Sequence, residues 1–113
     1  MPPGKEDEAR AFYSGVLGIP ETSKPPHLAK RGGAWFEAGD LKVHLGVEVG
    51  FRPAQKAHPA FEVQDLEALI AACQRKGYRA VTDEPLLGYK RAYVYDPFGN
   101  RIELMEPDGN DGS

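Results

Sequence analysis

Asp96-Pro97-Phe98-Gly99-Asn100-Arg101-Ile102-Glu103-Leu104-Met105-Glu106 lies near the end of this 113-residue chain. Its first five residues form a tight turn, because Pro presets φ while Gly and Asn accept the left-handed conformation. From Arg101 the period becomes two: Ile102 and Leu104 share one face, and Arg101, Glu103 and Met105 share the other. The segment therefore reads as a turn feeding a half-buried strand with a carboxylate on its polar face. Glu106 points to the opposite face and is the poorer candidate for chemistry.

The same alternation appears upstream. In Lys90 to Tyr95, Arg91, Tyr93 and Tyr95 take one face and Lys90, Ala92 and Val94 the other. His58 to Val63 places His58, Ala60 and Glu62 opposite Phe61 and Val63. Asp65 then caps a helix whose apolar stripe is Leu66, Leu69, Ile70 and Cys73, closed by Lys76-Gly77. Tyr78 to Val81 supplies a further strand, so residues 57–107 run strand, helix and three strands.

The first half repeats part of this plan. Ala9, Phe12, Tyr13, Val16 and Leu17 make one helical stripe behind the acidic Glu6-Asp7-Glu8, and Gly18 and Pro20 end it. Glu21 to Lys30 reads as an irregular connection with at most a short edge strand. Ala34 to Ala38 and Leu41 to Glu48 form a hairpin about the Gly39-Asp40 turn. Trp35 and Phe36 point to opposite faces, one toward a cavity and one toward the helix-side core. This first copy starts directly with its helix, and its leading strand is absent.

The length suits one domain over residues 1–113, with one module at about 4–50, a second at about 57–107, and a disordered tail at 108–113. A net charge of −3 offers no basic face for nucleic acid. No apolar run approaches a membrane span, and the N-terminus lacks the apolar core of an export signal. The single cysteine, Cys73, falls on the buried stripe of a helix and reads as a core residue of a cytoplasmic protein.

The chain resembles the vicinal oxygen chelate superfamily of glyoxalases, bleomycin resistance proteins and extradiol dioxygenases. The resemblance rests on three stretches: Ala9-Arg10-Ala11-Phe12-Tyr13 with Leu17-Gly18 and Glu21; Ala57 to Val63; and Asp96 to Leu104. It implies an α+β fold of two βαβββ modules, here with the first lacking its leading strand, whose mixed sheet curls around a cavity with the helices outside. It also implies a divalent metal (Mn, Fe, Ni or Zn) held by His44, His58 and Glu103, with Glu103 also catalytic. The fourth ligand expected in such a protein, from the leading strand of the first module, has no counterpart.

The residues themselves leave bland readings open: His44 as an exposed sheet-face histidine sharing its face with Lys42 and Glu48, His58 as an ordinary strand opener, Glu103 as a surface carboxylate. Glu48 is a reserve ligand, and His27, in a Pro-rich loop, is solvated. Arg52, Arg91, Tyr93 and Arg101 are candidate contacts for a small-molecule ligand, the arginines through their planar forks. Two function classes remain. One is a metal-dependent lyase, isomerase, thiol transferase or dioxygenase acting on vicinal oxygens; the other is a metal-free module that sequesters a small molecule. A third reading makes the chain an inactive piece starting at an internal methionine. The open edge left by the missing strand points to a homodimer, with altered or exchanged module packing as alternatives within it.

Overall fold

The computed structural model describes residues 1–82, 84 and 87–108, so the expectation of a disordered tail falls almost wholly outside the described residues. Two units divide the chain, Met1–Arg52 and Pro53–Ser113.

In the first unit, helix α1 (Glu6–Ala9) continues directly into a π-helical segment, Arg10–Ser14. Bonds of the i to i−5 type mark it: the Gly15 N–H donates to the Arg10 carbonyl at 3.0 Å, and that of Leu17 to Phe12 at 3.0 Å. The wider turn shifts the buried stripe. Ala9, Phe12, Tyr13 and Val16 are buried as their spacing predicts, but Ile19 takes the final buried place and Leu17 is only half-buried.

The stretch expected to be irregular holds a short strand, β1 (Glu21–Thr22), and one helical turn, α2 (Pro26–Ala29). Pro26 sits at the first helical position, where its missing N–H costs nothing. Strands β2 (Ala34–Ala38) and β3 (Leu41–Leu45) complete an antiparallel sheet of order β1-β2-β3. The two-residue turn fixes the hairpin register, with Trp35 opposite His44 and Glu37 opposite Lys42. Phe36 is buried and stacks on Tyr13 of the π-helical segment at 5.4 Å, while Trp35 lies on the other face.

The ladder of β3 ends at Leu45, short of the expected Glu48. Beyond it Met1, itself buried, donates its amine to the Gly46 carbonyl at 2.7 Å, and its own carbonyl accepts the Glu48 N–H at 2.9 Å. Bonds that bracket Val47 in this way follow the parallel pattern. Among the described residues no strand precedes α1, and Met1 alone takes that place beside β3.

The second unit runs β4 (Ala60–Glu62), α3 (Leu66–Arg75), β5 (Ala80–Thr82), β6 (Tyr89–Tyr95) and β7 (Arg101–Pro107), a βαβββ module of sheet order β4-β7-β6-β5. Its first strand pairs parallel with its last, and the other neighbours are antiparallel. Ala92, Val94, Ile102 and Leu104 are buried on one face, as are Leu66 and Cys73 of α3. Each large side chain so placed stabilises the fold by about 1.5–3 kcal/mol.

Polar groups fix both ends of α3. The Asp65 carboxylate accepts the Ala68 N–H at 3.1 Å, and Glu106 accepts that of Leu66 at 2.8 Å, so Glu106 serves the helix start from the far face of β7. At the other end Gly77 has φ +83°, and the Tyr78 N–H closes on the Cys73 carbonyl at 2.8 Å.

Candidate functional site

The turn before β7 is built around a buried carboxylate. Asp96 Oδ1 accepts the N–H groups of Phe98 (2.9 Å) and Asn100 (2.8 Å), and Oδ2 accepts Asn100 Nδ2 at 2.8 Å. This cage launches β7 in register, so that Glu103 stands between Tyr93 of β6 and Ala60 of β4. Cross-strand pairing gives those residues one face.

Glu103 is 6% exposed, a buried carboxylate and not a surface one. Its Oε1 lies 2.9 Å from His58 Nε2, and its Oε2 lies 3.5 Å from an Arg91 guanidinium nitrogen. Arg91 also donates to the Tyr93 hydroxyl at 3.0 Å. The His58 ring meets Tyr93 edge to face at 5.3 Å, and the Arg101 guanidinium covers the Tyr93 ring at 4.8 Å. His58, Arg91, Tyr93, Arg101 and Glu103 thus form one cluster in the second unit.

His58 reaches that cluster by a different route from the one expected. The strand begins at Ala60, so His58 belongs to the preceding loop, and alternation along a strand does not orient it. Its Nδ1 instead lies 2.9 Å from the Lys56 carbonyl and 3.2 Å from an Arg101 nitrogen, which itself donates to the same carbonyl at 2.7 Å. The tautomer decides which contact Nδ1 makes: protonated it donates to the carbonyl, unprotonated it accepts from Arg101. Nε2 lies 2.9 Å from a Glu103 carboxylate oxygen, the distance of a hydrogen bond when Nε2 carries a proton. Arg101 Nε is buried with no hydrogen-bond partner.

His44 lies in the first unit with different neighbours. Its Nε2 is 2.8 Å from Glu37 Oε2, and its ring stacks on Trp35 at 3.8 Å with 3° between the planes. Neither partner was foreseen, although the hairpin register signals both: it sets Trp35 opposite His44 and Glu37 on the diagonal. Glu48 and Arg52 are exposed beyond β3, and His27 is exposed in α2. Among the described residues no group of three or more His, Cys, Asp or Glu side chains is gathered as a metal site. The donor chemistry of His58 and Glu103 still fits two ligands of one divalent ion. Ligands at about 2.1 Å on adjoining corners of a coordination sphere stand about 3 Å apart.

The model of the Glyoxalase/Bleomycin resistance protein/Dioxygenase superfamily matches residues 4–104. The chain belongs to that superfamily. Among solved structures, this glyoxalase-superfamily chain is similar to a glyoxalase family protein from Bacillus anthracis, with 45% identity over 96% of this chain and 88% of that one, at a TM-score of 0.88. Two more distant structures share the superfamily fold. One is TnmS3, an antibiotic binding protein from Streptomyces sp. CB03234 (20% identity, 96% and 91% covered, TM-score 0.70). The other is lactoylglutathione lyase from Agrobacterium tumefaciens (21% identity, 89% and 84% covered, TM-score 0.65). No curated protein matches the chain. Among the described residues no helix is long and apolar enough to cross a membrane.

Proposed function

We propose that this chain is a metal-dependent enzyme of the glyoxalase/dioxygenase type, acting on a small molecule through vicinal oxygens, with His58 and Glu103 as ligands of a divalent ion (Mn, Fe, Ni or Zn). The observation that supports the reading is the approach of two metal-ligating side-chain types, His58 Nε2 and Glu103 Oε1, to 2.9 Å. Such an ion supplies Lewis-acid polarisation of a carbonyl, epoxide or enediol oxygen. The Lys56 carbonyl, 2.9 Å from Nδ1, would accept the Nδ1 proton when Nε2 serves as the ligand. Glu103, buried and flanked by Arg91, is the group to take a substrate proton. Arg91, Tyr93 and Arg101 are the contacts for the rest of the ligand.

A second reading is favoured by the guanidinium of Arg91, 3.5 Å from Glu103 Oε2. A cation there disfavours a second positive charge, and a metal-free site would then sequester its ligand as a binding module. Calorimetric titration with Mn, Ni and Zn, backed by elemental analysis of the purified protein, separates the two. The enzyme reading expects stoichiometric metal, lost in the His58→Ala, Glu103→Ala double variant; metal-free wild type, or binding unchanged in that variant, sinks it. The assembly we propose is a homodimer, which a monomeric mass by light scattering at micromolar concentration would contradict.

A further inference from the structure

The first unit carries a cavity of about 250 Å³ that no residue of the proposed chelate lines. Leu28, Leu45 and Val47 form apolar walls, each of them half-buried and so left open to a visitor. Trp35 also lines the cavity. One face of its indole is covered by the His44 ring at 3.8 Å.

The polar lining is cationic. Lys24 and Arg31 both border the cavity. The Lys24 ammonium is held by the carbonyl of Gly32, a neutral acceptor that leaves its charge in place. Arg31 is exposed and has no ion-pair partner among the described residues. The facing acid is Glu6, whose carboxylate is engaged by the Gly33 N–H and which feels the charge of Lys24. Two positive groups against one negative leave a local excess of +1 in a chain whose net charge is −3.

We infer that this cavity is a binding site for a small carboxylate with an apolar body, the body against the aliphatic wall and the carboxylate toward Lys24 and Arg31. The volume accommodates a single ring with a short substituent and is small beside the usual span of ligand pockets, about 300–1,000 Å³. Apolar contact with the aliphatic wall and a guanidinium fork for a carboxylate are the two interactions the lining offers. The backbone keeps the space open. Gly32 has φ +75°, and a Cβ there would lie 3.0 Å from Val47 Cγ2, encroaching on the wall.

Trp35 is the only tryptophan, so its fluorescence reports on this cavity without interference. Benzoate titrated into the full chain is expected to change Trp35 emission saturably. Benzyl alcohol, which keeps the ring but not the charge, and the Arg31→Glu variant with benzoate should each bind about tenfold more weakly. Amide NMR shifts on benzoate addition should centre on Gly32, Gly46 and the Trp35 indole. No saturable change in either readout, equal binding of benzyl alcohol, undiminished binding by Arg31→Glu, or shifts centred on His58 and Glu103 would each overturn the proposal. Because the variant alters an exposed side chain remote from the core, loss of fold does not confuse the result. The metal titration is independent of every one of these outcomes.

Discussion

Gly33 and Gly39 both have positive φ, yet a side chain would meet different surroundings at the two positions. At Gly33 (φ +85°) a Cβ would stand 2.1 Å from the Leu45 carbonyl oxygen, inside the pairing of β2 with β3. At Gly39 (φ +58°) nothing lies within 4 Å, and only the left-handed conformation disfavours a substituent. Gly33→Ala should therefore cost more than about 3 kcal/mol by urea unfolding, and Gly39→Asn less than about 1 kcal/mol, since Asn tolerates that region. Asp96 is the second critical residue. Removing its carboxylate in Asp96→Ala strands the Phe98 and Asn100 amides in a part-buried turn, for an expected loss of about 3 kcal/mol by denaturant unfolding. Asp96→Asn keeps an acceptor for both amides and should lose less.

At the scale of elements, Glu6 ties α1 to the start of β2. Its Oε2 accepts the Gly33 N–H at 2.8 Å, and that bond, with the positive groups Arg10 and Lys24, holds its carboxyl below the usual carboxylate range. A carboxyl lowered in the folded state adds stability above its unfolded pKa and loses it as pH falls through the folded one. The difference in melting temperature between wild type and Glu6→Gln should accordingly be largest near neutrality and close in acid. Elements also show where the sequence was readable. The hairpin, the α3 cap at Asp65 and the Asp96 turn follow from local rules of period and turn chemistry, and they stand where those rules put them. His58 did not follow from its strand, because its orientation comes from a loop carbonyl and from an arginine 43 residues away. The π-helical turn had no signal in spacing: Leu17 and Ile19 are both apolar, and the choice between them is made by which carbonyl the backbone N–H reaches.

At the scale of the molecule, the family was legible because its marks are turns and strand faces, which one sequence displays. Which side chains then gather depends on sheet order. The order β4-β7-β6-β5 brings Glu103 between residues from two distant segments and makes one cluster of Arg91, Tyr93 and Arg101. Sequence alone proposed those three as separate ligand contacts. Stability of the whole should fall in alkali. Burial raises the Cys73 thiol above its ordinary range, so the unfolded chain releases that proton at lower pH than the folded one. Stability at neutral pH should thus decline as pH rises past the ordinary thiol range, and a Cys73→Ala variant, though weaker at neutrality, should lack that component in its unfolding profile.

Each unit also holds one residue type found nowhere else in the chain: Trp35 in the first, Cys73 in the second. Indole emission and thiol accessibility are thus two built-in clocks, each keeping time for a single half without any label. Run side by side through a denaturant ramp, they distinguish a chain that melts in one step from one whose halves let go in turn.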